Sequence, residues 1–105
     1  MTVIVPHNTT KQEAISKVDH GFNEIFKGLF GLQIVNPVKT WNGSDMKFSL
    51  MGKVGFIEIP LSGLVEVDDR NVTVNADLPP IVNNFIGEQK IRGELEAKIK
   101  GFLAR

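Results

Sequence analysis

The chain has 105 residues, 42% of them hydrophobic and 23% charged, the make-up of one globular domain with a single core and not of a disordered segment. Twelve Lys and Arg balance twelve Asp and Glu, so the net charge is zero and there is no electrostatic footprint for nucleic acid or an anionic membrane. Cysteine is absent and there are two histidines, which excludes disulfides, thiolate catalysis and thiolate zinc sites; no carboxylates cluster at ligand spacing, so neither a metal nor another cofactor is expected.

The first residues lack the basic and apolar regions of a signal peptide, and no stretch approaches ~18 uninterrupted apolar residues. A cytoplasmic protein with no membrane span is the expectation. Zero net charge also removes a repulsive barrier to a homodimer.

Thr2–Pro6 reads as a short strand at a sheet edge, where the missing proline donor is harmless. Thr10-Lys11-Gln12-Glu13 matches a capping box, with hydroxyl and carboxylate satisfying reciprocal backbone donors. A helix from Lys11 to Leu29 follows. Its Ala14, Ile15, Val18, Phe22, Ile25, Phe26 and Leu29 form one apolar stripe, and Gly28 and Gly31 stop it. Ile34–Trp41 is the next strand, and Pro37 marks a bulge or an edge. Asn42-Gly43-Ser44-Asp45 is a hairpin turn of the Asn-Gly kind. Met46, Phe48 and Leu50 alternate with polar residues, and Gly52-Lys53 reads as the turn after them.

Val54–Val67 is the longest strand-like run. Ile57, Ile59, Leu61, Val65 and Val67 share one parity, with Gly63 in register, and point to a core. The other parity mixes Glu58, Ser62 and Glu66 with Phe56, Pro60 and Leu64. Asp68–Asn71 turns the chain, and Val72, Val74 and Ala76 mark a last strand. Turns this short make the middle of the chain a four-stranded antiparallel meander. Pro79-Pro80 opens a short helix over Ile81, Val82, Phe85 and Ile86, broken near Gly87. A final helix runs from Glu88 to Leu103. Its Gly93 and Gly101 each cost about 1 kcal/mol against alanine, which close packing could offset.

The fold class is therefore α+β, in the order β-α-β-β-β-β-α. An antiparallel sheet of four or five strands has two helices packed on one face. The order is similar to folds in which a sheet grips a long C-terminal helix, some of which hold apolar ligands; this is analogy of fold alone.

Candidate chemistry is sparse. His7 follows a proline at a strand-to-helix junction with no Ser, Cys or Asp partner identifiable beside it, and reads as a turn histidine bonding backbone. Catalysis would require it to meet a carboxylate in a pocket. His20 lies on the outer side of the first helix. Asp68-Asp69 reads as turn chemistry and not as a catalytic pair. No catalytic residue is assigned. Trp41 either plugs the edge of the core or anchors an interface. If the helices cover one face only, Met51, Phe56, Pro60 and Leu64 join it as an exposed apolar surface; if the sheet curls, they form a second core.

Pro6-His7, Ala14, Trp41-Asn42-Gly43, Phe48, and Gly63-Leu64-Val65-Glu66-Val67-Asp68-Asp69 occur in the same order in a group of small bacterial proteins, continuing with Val72, Val74, Leu78 and the charged helix. In this the chain resembles the polyhydroxyalkanoic acid system protein family, over nearly its whole length from His7. The resemblance implies a link to storage-polyester granules and brings no catalytic residues. The segment Met51–Pro60 is longer and more apolar than in shorter family members. The expected function is a non-enzymatic accessory or binding protein that meets a hydrophobic surface, a protein partner or itself. The alternative is a carrier or sensor holding a small apolar ligand between the sheet and the last helix.

Overall fold

The structure, a computed structural model, describes residues 1–26, 31–82 and 87–104. Five strands and two helices follow one another as β1 (Thr2–Pro6), α1 (Lys11–Phe26), β2 (Gln33–Asn42), β3 (Asp45–Val54), β4 (Ile57–Val67), β5 (Asn71–Asp77) and α2 (Glu88–Leu103). They build one antiparallel sheet in the order β1-β5-β4-β3-β2, so the expected α+β arrangement holds. The meander is β2 to β5, and the first strand closes it by pairing with the last.

The strands turn one parity to the helices. Val3 and Val5, Met46, Phe48 and Leu50, Ile59 through Val67, and Val72, Val74 and Ala76 are buried in one cluster with the apolar stripes of α1 and α2. Three rings fix α1 on the sheet: Phe26 lies 5.1 Å and Phe22 6.0 Å from Phe48, centroid to centroid. Such ring pairs add about 0.5–1.5 kcal/mol each beyond their burial. The N-terminus of α1 is capped as expected on one side, with Glu13 N–H donating to Thr10 Oγ1 at 3.1 Å. The reciprocal arm differs: the Glu13 carboxylate accepts from the Thr9 hydroxyl.

Two turns differ from the sequence reading. The β2–β3 turn is Gly43-Ser44, with positive φ at Gly43 alone, so glycine takes the first central position and not the second. Gly52-Lys53 is no turn. Both lie inside β3, and the chain reverses at Gly55-Phe56, where Gly55 has φ 59° and Val54 pairs with Ile57. Gly52 sits in a strand because the Leu32 side chain covers it; a Cβ there would lie 3.2 Å from Leu32 Cδ1. The expected extension of α1 to Leu29 and most of the expected short helix near Phe85 lie outside the described residues; Ile81 and Val82 are helical.

Close helix approach does not explain Gly93 and Gly101, because a Cβ at either would meet nothing within 4 Å. The glycine that packing demands is Gly21, where a Cβ would fall 1.8 Å from the Phe102 ring. The two helices cross on that contact. Gly21→Ala should therefore destabilise by about 2 kcal/mol despite alanine's better helix propensity, because Phe102 must leave its seat. Gly93→Ala should stabilise by about 1 kcal/mol. Thermal melts of both variants check the pair, with opposite signs expected.

Candidate functional site

The two helices share one face of the sheet, and positions of the other parity are exposed or half-buried on all five strands. That outer face is mainly polar. Lys47, Ser49, Ser62, Thr73 and Asn75 occupy its middle. Its apolar part is a row across one end, where Met51 pairs with Val35 on one side and Pro60 on the other. Leu64 stands apart, between Lys47 and Asn75, and is half-buried. The patch expected from Met51, Pro60 and Leu64 is thus narrower than a continuous apolar surface.

Phe56 belongs to neither face. It is the apex of the two-residue turn between β3 and β4 and is 106% exposed, with Val54 beside it at 40%. Two long paired strands hold that ring in water, and a Lys53–Glu58 ion pair at 3.7 Å spans the strands just behind it. A fully solvated phenylalanine on a short turn gains nothing for the fold, so it is the feature that most needs a partner.

Trp41 is not part of the outer surface. It is half-buried on the helix side, and its Nε1–H donates to Asp19 Oδ1 of α1 at 2.8 Å. Lys39, two residues back, pairs with the same carboxylate at 2.7 Å, donates to the Asp19 carbonyl at 2.6 Å, and lies 5.7 Å from the centre of the Phe22 ring. These contacts fasten the edge strand β2 to α1. The cause of the misplacement is a bulge: the pairing of β2 with β3 shifts between Val35 and Val38, with Asn36 at φ 53° before Pro37. The extra residue reverses parity. Ile34 faces inward before the bulge, and Lys39 and Trp41 face inward after it.

His7 is buried and bonds backbone as expected, but not locally. Its N–H donates to Arg70 O at 2.8 Å and its Nε2 contacts Asp68 O at 2.7 Å, tying the β1–α1 connection to the β4–β5 turn. Its partner is a carbonyl, not a carboxylate. The Asp68 carboxylate is spent on its own turn, accepting from the N–H groups of Arg70 at 2.8 Å and Asn71 at 2.6 Å, which hold it below the usual carboxylate range. His20 is exposed, and its Nδ1 donates to Ser16 O at 2.7 Å. Among the described residues no three His, Cys, Asp or Glu side chains group as a metal site, and no helix is long and apolar enough to cross a membrane.

Comparison of the chain with family models, with characterised proteins and with solved structures finds no match.

The Asp19 clamp has a pH signature. The bond from Lys39, then that from Trp41, lowers the Asp19 carboxyl below its ordinary value of 3.8. A depressed carboxyl contributes stability that is whole above the ordinary value and is lost as pH falls through the folded-state value. The carboxylate is 39% exposed, so solvent screens the pair and its worth is below about 1 kcal/mol. Asp19→Asn keeps an acceptor for Trp41 and removes the charge. Melts across acid pH should show the wild-type advantage at neutral pH shrinking to nothing below about pH 3–4.

Proposed function

We propose that this chain is a non-enzymatic binding protein that docks on an apolar surface through the tip of the β3–β4 hairpin, and that the surface is that of a storage-polyester granule in the cytoplasm. The observation that carries the reading is Phe56, wholly exposed on a two-residue turn with Val54 beside it. The resemblance to the polyhydroxyalkanoic acid system proteins supplies the granule. Met51 and Pro60 stand behind the tip on the outer face and would meet the surface as it is approached.

Magnitudes limit how such a tip works. Burying one phenylalanine side chain is worth about 1.5–3 kcal/mol. A millimolar dissociation constant already needs about 4 kcal/mol. Docking through a single tip is therefore fast and reversible. A homodimer presenting two tips to one surface would hold much longer, through effective concentration.

Phe56→Ser alters a side chain that packs on nothing, so stability should change by no more than about 0.5 kcal/mol. Co-sedimentation with amorphous polyhydroxybutyrate particles should drop several-fold. Recovery equal to that of the unaltered chain overturns the reading. Analytical ultracentrifugation of the same variant separates the rival occupant: loss of self-association with unchanged particle binding would make the tip a contact between copies.

A further inference from the structure

The end of the sheet opposite Phe56 carries a second feature that the docking tip does not use. There the β1–α1 connection and the last turn of α2 enclose an open cleft of about 470 Å³, walled by His7, Asn8, Thr9, Lys17, Lys100 and Leu103 among others. That volume is within the usual range for a small-molecule site. In a chain with zero net charge, its wall holds two lysines and, among the described residues, no carboxylate. Lys17 Nζ donates to Leu103 O at 2.9 Å and Lys100 pairs with Glu96 at 2.9 Å. Each ammonium has three donors, so both retain hydrogen-bonding capacity after those contacts.

His7 gives an independent reason to look for a ligand here. It is only 6% exposed, and a carbonyl oxygen accepts at its Nε2, so the proton is on Nε2 and Nδ1 carries a lone pair. That Nδ1 is buried and meets no donor within the protein. A buried acceptor left unpaired costs about 1–3 kcal/mol, and groups in this condition are commonly completed by a water or a ligand. The imidazole cannot turn to escape, because its ring is fixed through Nε2 and its backbone through Arg70.

We propose that this cleft binds a small organic carboxylate that also carries a hydroxyl. Lys17 and Lys100 take the carboxylate, and the hydroxyl donates to His7 Nδ1. The site lies at the far end of β4 from the docking tip, so occupancy and docking are separable properties of the molecule.

The test uses the full chain, labelled with ¹⁵N and titrated at constant ionic strength with lactate, propionate and lactamide. Lactate should give saturable shifts at Asn8, Thr9 and Lys17 and should move the His7 Nδ1 resonance. Propionate, lacking the hydroxyl, and lactamide, lacking the charge, should each bind about fivefold more weakly, the equivalent of one net hydrogen bond. Lys100→Gln, an exposed position, should weaken lactate several-fold without lowering the melting temperature. Phe56→Ser should leave lactate binding unchanged, which keeps this result independent of the docking experiment. Shifts that never saturate, equal responses to the three probes, or a His7 Nδ1 resonance that stays in place overturn the proposal.

Discussion

The fold turns on the seat of Phe48. Its ring lies against Phe22 and Phe26 of α1 and reaches across the neighbouring strand to Gly63. A Cβ at Gly63 would lie 2.8 Å from the Phe48 ring and 2.1 Å from the Asn75 carbonyl oxygen. Glycine here admits the ring from one side and the backbone of β5 from the other. The centre of the sheet, the docking of α1 and the pairing of β4 with β5 thus meet at one residue that has no side chain. A methyl group at that point cannot be relieved by a rotamer change, because one of the atoms it strikes is backbone.

Gly63 also explains why so much of this architecture could be read from residues alone. The apolar parity from Ile57 to Val67 continues through it without a break, because the glycine keeps the register while yielding its space to a neighbour. The final helix was equally legible, since Ile91, Leu95, Ile99, Phe102 and Leu103 form one stripe and the bounds follow from it. The limits appear where local chemistry and tertiary packing compete for the same residue type. Gly52 carries the signature of a turn and is a strand residue under Leu32, while Gly93 carries the signature of a helix crossing and meets nothing. A glycine announces that something unusual is needed, but packing decides whether it is a turn, a contact or neither.

The candidate site was less legible for a related reason. Alternation assigns a face only while the register runs unbroken. The bulge at Asn36-Pro37 puts one extra residue into β2, so every side chain after it changes face. Trp41 then joins Asp19 and Lys39 in a clamp between sheet edge and helix, a role that needs both elements in place to be visible. Phe56 was assigned by parity to a face and is instead the turn itself. His7 forms its bonds with residues 61 to 63 positions away, so the sequence around it holds no trace of its partners.

The prolines narrow how a partner can approach. The sheet has open hydrogen-bonding edges along β1, along β2, and along the part of β4 before Ser62, where β5 begins to pair. Each holds a proline: Pro6, Pro37 and Pro60. The two-residue turn makes Val54 and Ile57 a hydrogen-bonded pair, so Ile57, Ile59 and Leu61 direct their backbone groups to β3 while Glu58 and Pro60 direct theirs to the open side. On that side only Glu58 can offer an N–H. The bulge and Lys39 blunt β2 in the same way. Strand addition, the commonest way for an exposed sheet to recruit another chain, is therefore opposed at every edge. Pro60, which alternation assigns to an apolar patch, acts first as a guard of the edge beside the tip. An apolar partner is left with the short row at Val35, Met51 and Pro60 and with the ring of Phe56, which no strand edge competes to cover.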